Sequence, residues 1–150
     1  MTLTVRRARS EDAPLLLRMS RDFHIEDGSP LNAAAEASIA DVAAGVTLAP
    51  AYMLEEDGEP AGFFILTLGY SVENGGTDGF IDDFYLIPEA RGRGLGQQAV
   101  ALAMEEAKAL GMRTLLLEVE AHNDRAYELY RKMGFADTQR RLLRQVLVED

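Results

Sequence analysis

A chain of 150 residues, 47% apolar and 27% charged, is long enough for one domain, residues 1–150, with a single core that needs neither disulfides nor a structural metal. It contains no cysteine, which excludes thiol chemistry and favours a cytoplasmic location, and no apolar run approaches the roughly 20 residues of a membrane span. A formal charge of −10 disfavours nucleic acid and anionic membranes as partners, because both are bound through Lys and Arg, and favours a cationic small molecule; the same charge would also serve solubility alone.

The opening MTLTVRRARSEDAP has arginines but no apolar segment after them, so no export signal is expected. LTVRRA alternates as a strand does. Ser10 and the following EDAP supply an N-cap, acids and Pro14 for the first turn of a helix, along which Leu15, Leu16, Met19 and Phe23 recur at helical spacing. HIEDGSP interrupts that helix, and the alanine-rich LNAAAEASIADVAAG predicts a second one closed by Gly45. AYMLEED and AGFFILTLGYS flank Asp57-Gly58, a hairpin signal. A second hairpin turns at ENGGTDG and runs out through FIDDFYLI to Pro88, which cannot donate to a ladder. From Gly94 to Leu110 the apolar positions follow a helical period, with Gly111 as terminator. TLLLEVE predicts a strand, NDRAYELYRKM a helix stopped by Gly134, and TQRRLLRQVLV a final strand of open register. The order β-α-α-β-β-β-α-β-α-β, with the last strand possible as two, predicts an α/β domain around a mixed, mostly antiparallel sheet with at least one crossover.

The stretch PEARGRGLGQQ places three glycines and two arginines between a strand and a helix. Free N–H groups and the macrodipole at a helix N-terminus favour an anion there, and missing side chains let it approach. A P-loop needs Gly-x4-Gly-Lys-Ser/Thr, which fails at Gln97 and beyond; a dinucleotide fingerprint needs Gly-x-Gly-x-x-Gly, which the glycines at 92, 94 and 96 miss by one residue. By spacing alone, a tight loop with solvent-facing arginines remains an equal reading.

Arg91-x-x-Gly94-x-Gly96 after DDFYLIPEA, followed by NDRAYELYRKMGF at 123–135, resembles the GNAT family of N-acetyltransferases. The acidic pair before the loop is closest to the diamine acetyltransferases. The likeness is specific over about 52–136 and extends elsewhere only as element order. It implies a GNAT-like fold and acetyl-CoA as co-substrate, with no metal. It further implies that Arg91, Gly92, Arg93, Gly94, Leu95, Gly96 and Gln97 surround the pyrophosphate. The backbone of Phe84, Tyr85 and Leu86 would pair with the pantetheine amides as an added strand does, which requires neighbouring strands to diverge. Asn123 and Ala126, at the start of the later helix, would contact the cofactor arm; Asn123 also suits an ordinary N-cap, and the two roles are compatible. The resemblance makes Tyr130, two turns further on, the donor of a proton to the departing thiolate, where otherwise it is a core aromatic.

Asp82 and Asp83 are adjacent and so face opposite sides of a strand. Matching the family's acidic pair, Asp82 is the better candidate for the base that accepts the amine's proton, and two solvated strand-end acids remain the competing reading. His24, Glu26 and Asp27 fall in the break between the first two helices, where the family builds its acceptor pocket; His24 equally suits a helix C-terminus. The reaction so implied is acetyl transfer to a primary amine of a small cationic acceptor by direct attack in a ternary complex. Acetylation of a protein or peptide, a non-catalytic acyl-CoA-binding module and a nucleotide-binding domain are the rival readings. An exposed final strand would allow a homodimer.

Overall fold

The computed structural model describes residues 2–149, which follow the predicted order as far as the last helix. β1 (Leu3–Arg7) leads through a 3-10 turn at Ser10–Asp12 to α1 (Ala13–Glu26) and α2 (Ala33–Ala44). β2 (Ala51–Glu56), β3 (Glu59–Ser71) and β4 (Gly76–Leu86) follow as a meander. A short turn at Pro88–Ala90 then leads to α3 (Leu95–Ala109), β5 (Thr114–Leu117) and α4 (Asp124–Lys132). The sheet runs β1-β2-β3-β4-β5; the first three pairings are antiparallel, and β4 and β5, joined through α3, are parallel.

β3 is central, and every residue from Ala61 to Leu66 is buried because helices cover both faces of the sheet. Phe64 and Leu66 face α3, joining Tyr52, Leu54 and Leu95 in one cluster; Phe63 and Ile65 face α1 and α2, joining Leu16, Met19, Met53 and Ile39 in a second. Full burial of each such side chain stabilises the fold by about 1.5–3 kcal/mol. α3 presents Ala99, Ala103 and Ala107 at four-residue spacing, all buried, so that its backbone lies close to the sheet.

Local chemistry accounts for most boundaries. Asn32 caps α2 by accepting from the Ala35 amide at 2.8 Å, and Gly45 ends it in a left-handed conformation (φ 99°). At α1 the expected Ser10 cap is replaced: Ser10 opens the 3-10 turn, and Asp12 accepts from the Arg9 amide at 2.8 Å while the Arg6 guanidinium forks onto it at 2.8 Å. TLLLEVE gives a strand only over Thr114–Leu117. The final strand predicted in TQRRLLRQVLV does not form among the described residues. Every residue from Ala136 to Glu149 is exposed, so the segment has no neighbouring strand to pair with.

Gly62 is required by close approach, since a Cβ there would collide with the Tyr85 carbonyl oxygen on β4. Gly62→Ala is therefore expected to destabilise the fold by at least about 2 kcal/mol in urea denaturation. An unchanged midpoint would mean that β3 and β4 are not packed this closely.

Candidate active site

β4 pairs with β3 in register until Ile81 sits opposite Leu66; the next pair is Asp83 with Ile65, so Asp82 is an extra residue in the strand. Such a bulge inverts the alternation of side chains. Ile81 packs in the α3-side cluster, whereas Asp83 and Tyr85 face the α1 side, and Phe84 and Leu86 now take the α3 side. On the other edge the β4–β5 ladder stops at Ile81 and Leu117, leaving Asp82–Leu86 without a strand neighbour on that side.

The divergence opens a cleft of about 1120 Å³. Phe23, His24 and Asp27 reach it from the end of α1, Asp82, Asp83 and Phe84 from β4, and Asn123, Ala126 and Tyr130 from α4. Residues up to 107 positions apart in sequence are thus brought to one cavity. Asn123 caps α4, accepting from the Ala126 amide at 3.1 Å. Tyr130 packs edge-on against Phe84 and Phe135, with ring centroids 6.2 and 5.9 Å away. Burial, assisted by the negative charge of Asp27, pushes its phenol up to about 12. It stays protonated at any ordinary pH.

Asp83 is almost fully buried and meets His24 Nε2 through Oδ2 at 3.2 Å. This hydrogen bond is the main cause that raises the His24 imidazole above its ordinary value, against the opposing effect of burial; the charges of Asp83, Asp27 and Asp82 add to it. Asp82 retains solvent contact at the cleft mouth, yet its carboxyl is raised, first because the cleft walls displace water around it, then by Asp83 and Glu118; His24 opposes the shift. Glu118 carries no sequence signal for this position, since it lies just beyond β5 and reaches Asp82 only through the sheet.

The glycine loop lies between β4 and α3. Gly92 and Gly94 both have φ 77°, a conformation glycine adopts without strain, and Gly94 is the N-cap of α3. The amides of Leu95, Gly96 and Gln97 fall in the first turn, where a helix has no internal acceptor for them. The arginines sit beside the loop, each bound to an acid. Arg91 donates from Nε to the Leu86 carbonyl at 2.9 Å and from one terminal nitrogen to Glu26 at 3.0 and 3.1 Å, and stacks over the Tyr85 ring. Arg93 forks onto Glu56 at 2.9 Å and also donates to the Glu89 carbonyl at 3.1 Å. Glu26 and Tyr85 consequently line a separate shallow depression with Pro88, whereas His24 and Asp27 line the cleft. Among the described residues, no group of three His, Cys, Asp or Glu side chains could hold a metal ion, and no helix is long and apolar enough to cross a membrane.

β4, second from the edge of the sheet, thus carries a bulge and diverges from its parallel neighbour β5, with a glycine loop at the start of the crossover helix α3. The model of the Acetyltransferase (GNAT) family matches residues 16–135, and the chain belongs to that family. It is 44% identical over 69 residues to the uncharacterized N-acetyltransferase YdgE of Bacillus subtilis, spanning 46% of this chain and 44% of that protein, so the match covers under half of the relative's length. It is 28% identical over 140 residues to an aminoglycoside N(6')-acetyltransferase type 1 of Stenotrophomonas maltophilia, covering 91% and 88% of the two chains. An integron cassette protein from the mobile metagenome of Cole Harbour Salt Marsh superposes with a TM-score of 0.81 at 36% identity, covering 97% and 91%.

Because the folded His24 value lies above the unfolded one near 6.5, the His24–Asp83 pair contributes stability that is complete below about pH 6.5 and is lost as pH rises through the raised value. The unfolding free energies of wild type and His24→Gln should accordingly differ most on the acid side and converge toward alkaline pH. A gap that is constant with pH would show that the pair is not charged in the folded state.

Proposed function

We propose that the protein is an acetyl-CoA-dependent N-acetyltransferase that modifies a primary amine of a small cationic acceptor by direct attack in a ternary complex. The observation that carries this reading is the edge of Asp82–Leu86 left without a strand neighbour, with Asp82, Asp83 and Phe84 lining a cleft that Tyr130 also lines. Backbone groups of Phe84, Tyr85 and Leu86 would take the amide-bearing arm as an added strand. First-turn amides of α3 with Gly92 and Gly94 would take the pyrophosphate, with Arg91 and Arg93 beside them. Asn123 and Ala126 would border the arm from α4.

The chemistry follows from two groups that line the cleft, Asp82 and Tyr130. The acceptor nitrogen bonds to the thioester carbonyl carbon as the carbon–sulfur bond breaks, leaving one proton to be removed from nitrogen and one to be supplied to sulfur. Asp82, whose carboxyl is raised chiefly by burial, is the proposed acceptor of the first, directly or through a water. The Tyr130 hydroxyl, protonated throughout, is the proposed donor of the second. Asp83 and His24 form the wall against which the acceptor sits, with Asp27 beside them. With no cysteine in the chain, the acetyl group has no thiol on which to be held in passing.

A cationic acceptor is supported by the net charge of −10, by the acids at 27, 82, 83 and 118 around the cleft, and by an aminoglycoside acetyltransferase among the relatives that span most of the chain, since aminoglycosides are polyamines. The test is release of free CoA thiol from acetyl-CoA with a panel of amines; the cysteine-free chain contributes no background. Polyamines and aminoglycosides are expected to outperform neutral amino acids, with kcat/KM falling as salt rises. A preference for neutral acceptors, or kinetics indifferent to salt, would overturn the electrostatic reading.

Tyr130→Phe preserves the ring packing and removes only the hydroxyl. It is expected to lower kcat by about 10²-fold, toward the lower end of the 10²–10⁴ usual for a lost general acid because water substitutes in part, with thermal stability and cofactor affinity little changed. With the phenol near 12, the wild-type pH profile should show no basic limb from this group below about pH 10. Near wild-type turnover in the variant would return Tyr130 to a packing role.

A further inference from the structure

The Asp83 side chain is only 10% exposed, and among the described residues its carboxylate has one hydrogen-bond partner, His24 Nε2 at 3.2 Å. A carboxylate accepts and does not donate, so Nε2 carries a proton, and a second ring proton, when present, sits on Nδ1. The imidazole keeps 23% of its surface exposed, which lets that second proton exchange with solvent, whereas Asp83 is too enclosed to regain a hydration shell. Phe23, edge-on to the ring with centroids 4.8 Å apart, and the Asp83 bond hold His24 in both protonation states. Loss of the Nδ1 proton therefore leaves the contact in place and changes only its charge, from a neutral ion pair to a buried anion with a neutral donor.

The surroundings make that one charge count. Asp27, just beyond α1, and Asp82, on β4, both act with Asp83 to hold the proton on His24, and Asp82 in turn feels Glu118 from beyond β5. Tyr130, on α4, lines the same cleft and stays uncharged at ordinary pH. The cations along the cleft wall stand elsewhere. Arg113 and Arg140 are bound to Asn74 and Glu73 in the β3–β4 turn, near the start of β4, whereas Asp83 is near its end. Lys108 and Arg131 belong to the last turns of α3 and α4. His24 is the cation in contact with Asp83, and the pair lines the cleft.

We propose that the charge on His24 sets the acceptor preference of the cleft: protonated, it cancels Asp83, and deprotonated, it exposes a negative charge that favours acceptors with a second ammonium group. His24 acts through Asp83 and takes no part in bond making. Because the imidazole titrates above the ordinary value near 6.5, the change falls on the alkaline side of that pH. The inference rests on the acetyltransferase reading for its acceptor site and adds what selects among the acceptors.

The test is the ratio of kcat/KM for 1,4-diaminobutane to that for butylamine between about pH 6 and pH 9. Both reacting amines lose their proton in parallel below the usual value near 10, so the ratio cancels that change. In the wild type it is expected to rise about tenfold, through KM, as one unit charge at close range permits. In His24→Gln, whose neutral amide still donates to Asp83, the ratio should be high and flat; in His24→Lys it should be low and flat. The converse is read by NMR without turnover, since the chain has two histidines. With CoA bound, saturating 1,4-diaminobutane should lower the His24 titration midpoint by about one pH unit, the same tenfold by reciprocity, and leave exposed His122 unmoved. A wild-type ratio indifferent to pH, a ratio that rises in His24→Gln as in the wild type and so belongs to Asp82, or a His24 midpoint that the diamine leaves in place or raises would overturn the proposal. If neither amine releases CoA thiol, the acetyltransferase reading fails, and the NMR midpoint still decides whether His24 senses a cation in the cleft.

Discussion

β4 can keep both neighbours only while they match its step, and at Asp82 it gains a residue that β3 does not match. The mismatch is small, yet the site depends on it. Before the bulge β4 is an interior strand with Ile81 in the α3-side cluster; after it the same strand offers a carboxylate and a tyrosine to the α1 side and a bare ladder edge to the cleft. Main-chain groups on such an edge seek hydrogen bonds, so the edge is at once a weakness of the sheet and the feature most suited to an extended amide-bearing ligand. The long buried run of β3 makes this tolerable, because the hydrophobic contact on its two faces holds the sheet while one neighbour lets go.

Electrostatics around the cleft follow from how few cations the chain has. Fifteen Lys and Arg face twenty-five Asp and Glu, and the bidentate arginine pairs, Arg6–Asp12, Arg21–Glu36, Arg93–Glu56 and Arg140–Glu73, each join segments that are separate in the sequence. Asp27, Asp82, Asp83 and Glu118 line the cleft where α1 ends and β4 bulges. His24 partly compensates for Asp83, so that the carboxylate can be buried without an arginine.

Local signals carried most of the fold. Asn32, Gly45, Pro88 and Gly94 each mark a boundary because one residue's own geometry decides it. The glycine loop and the α4 cap at Asn123 were readable for the same reason, and the resemblance at 91–96 and 123–135 joined them to the family that the chain belongs to. Long-range pairings were not readable. His24 with Asp83 is a contact across 59 residues, and Arg91 with Glu26 one across 65, and nothing local separates Glu26, bound by an arginine outside the cleft, from Asp27 within it. The adjacent acids at 82 and 83 were visible, but which of them is the extra residue depends on register with β3. The last strand failed for the opposite reason: its residues favour a strand, and a strand exists only where a second one accepts it.

Arg91 and Arg93 also give the glycine loop an unusual property, for they arrive at it already neutralised by Glu26 and Glu56. An anion at the α3 N-terminus would meet guanidinium groups that already carry counterions, so engaging them would exchange a carboxylate partner for that anion. Each release would also loosen something specific: Glu26 ends the helix that bears His24, and Glu56 ends the strand that precedes the Asp57-Gly58 turn. An anion that displaced either carboxylate would therefore act on the end of α1 that borders the cleft and on the end of β2.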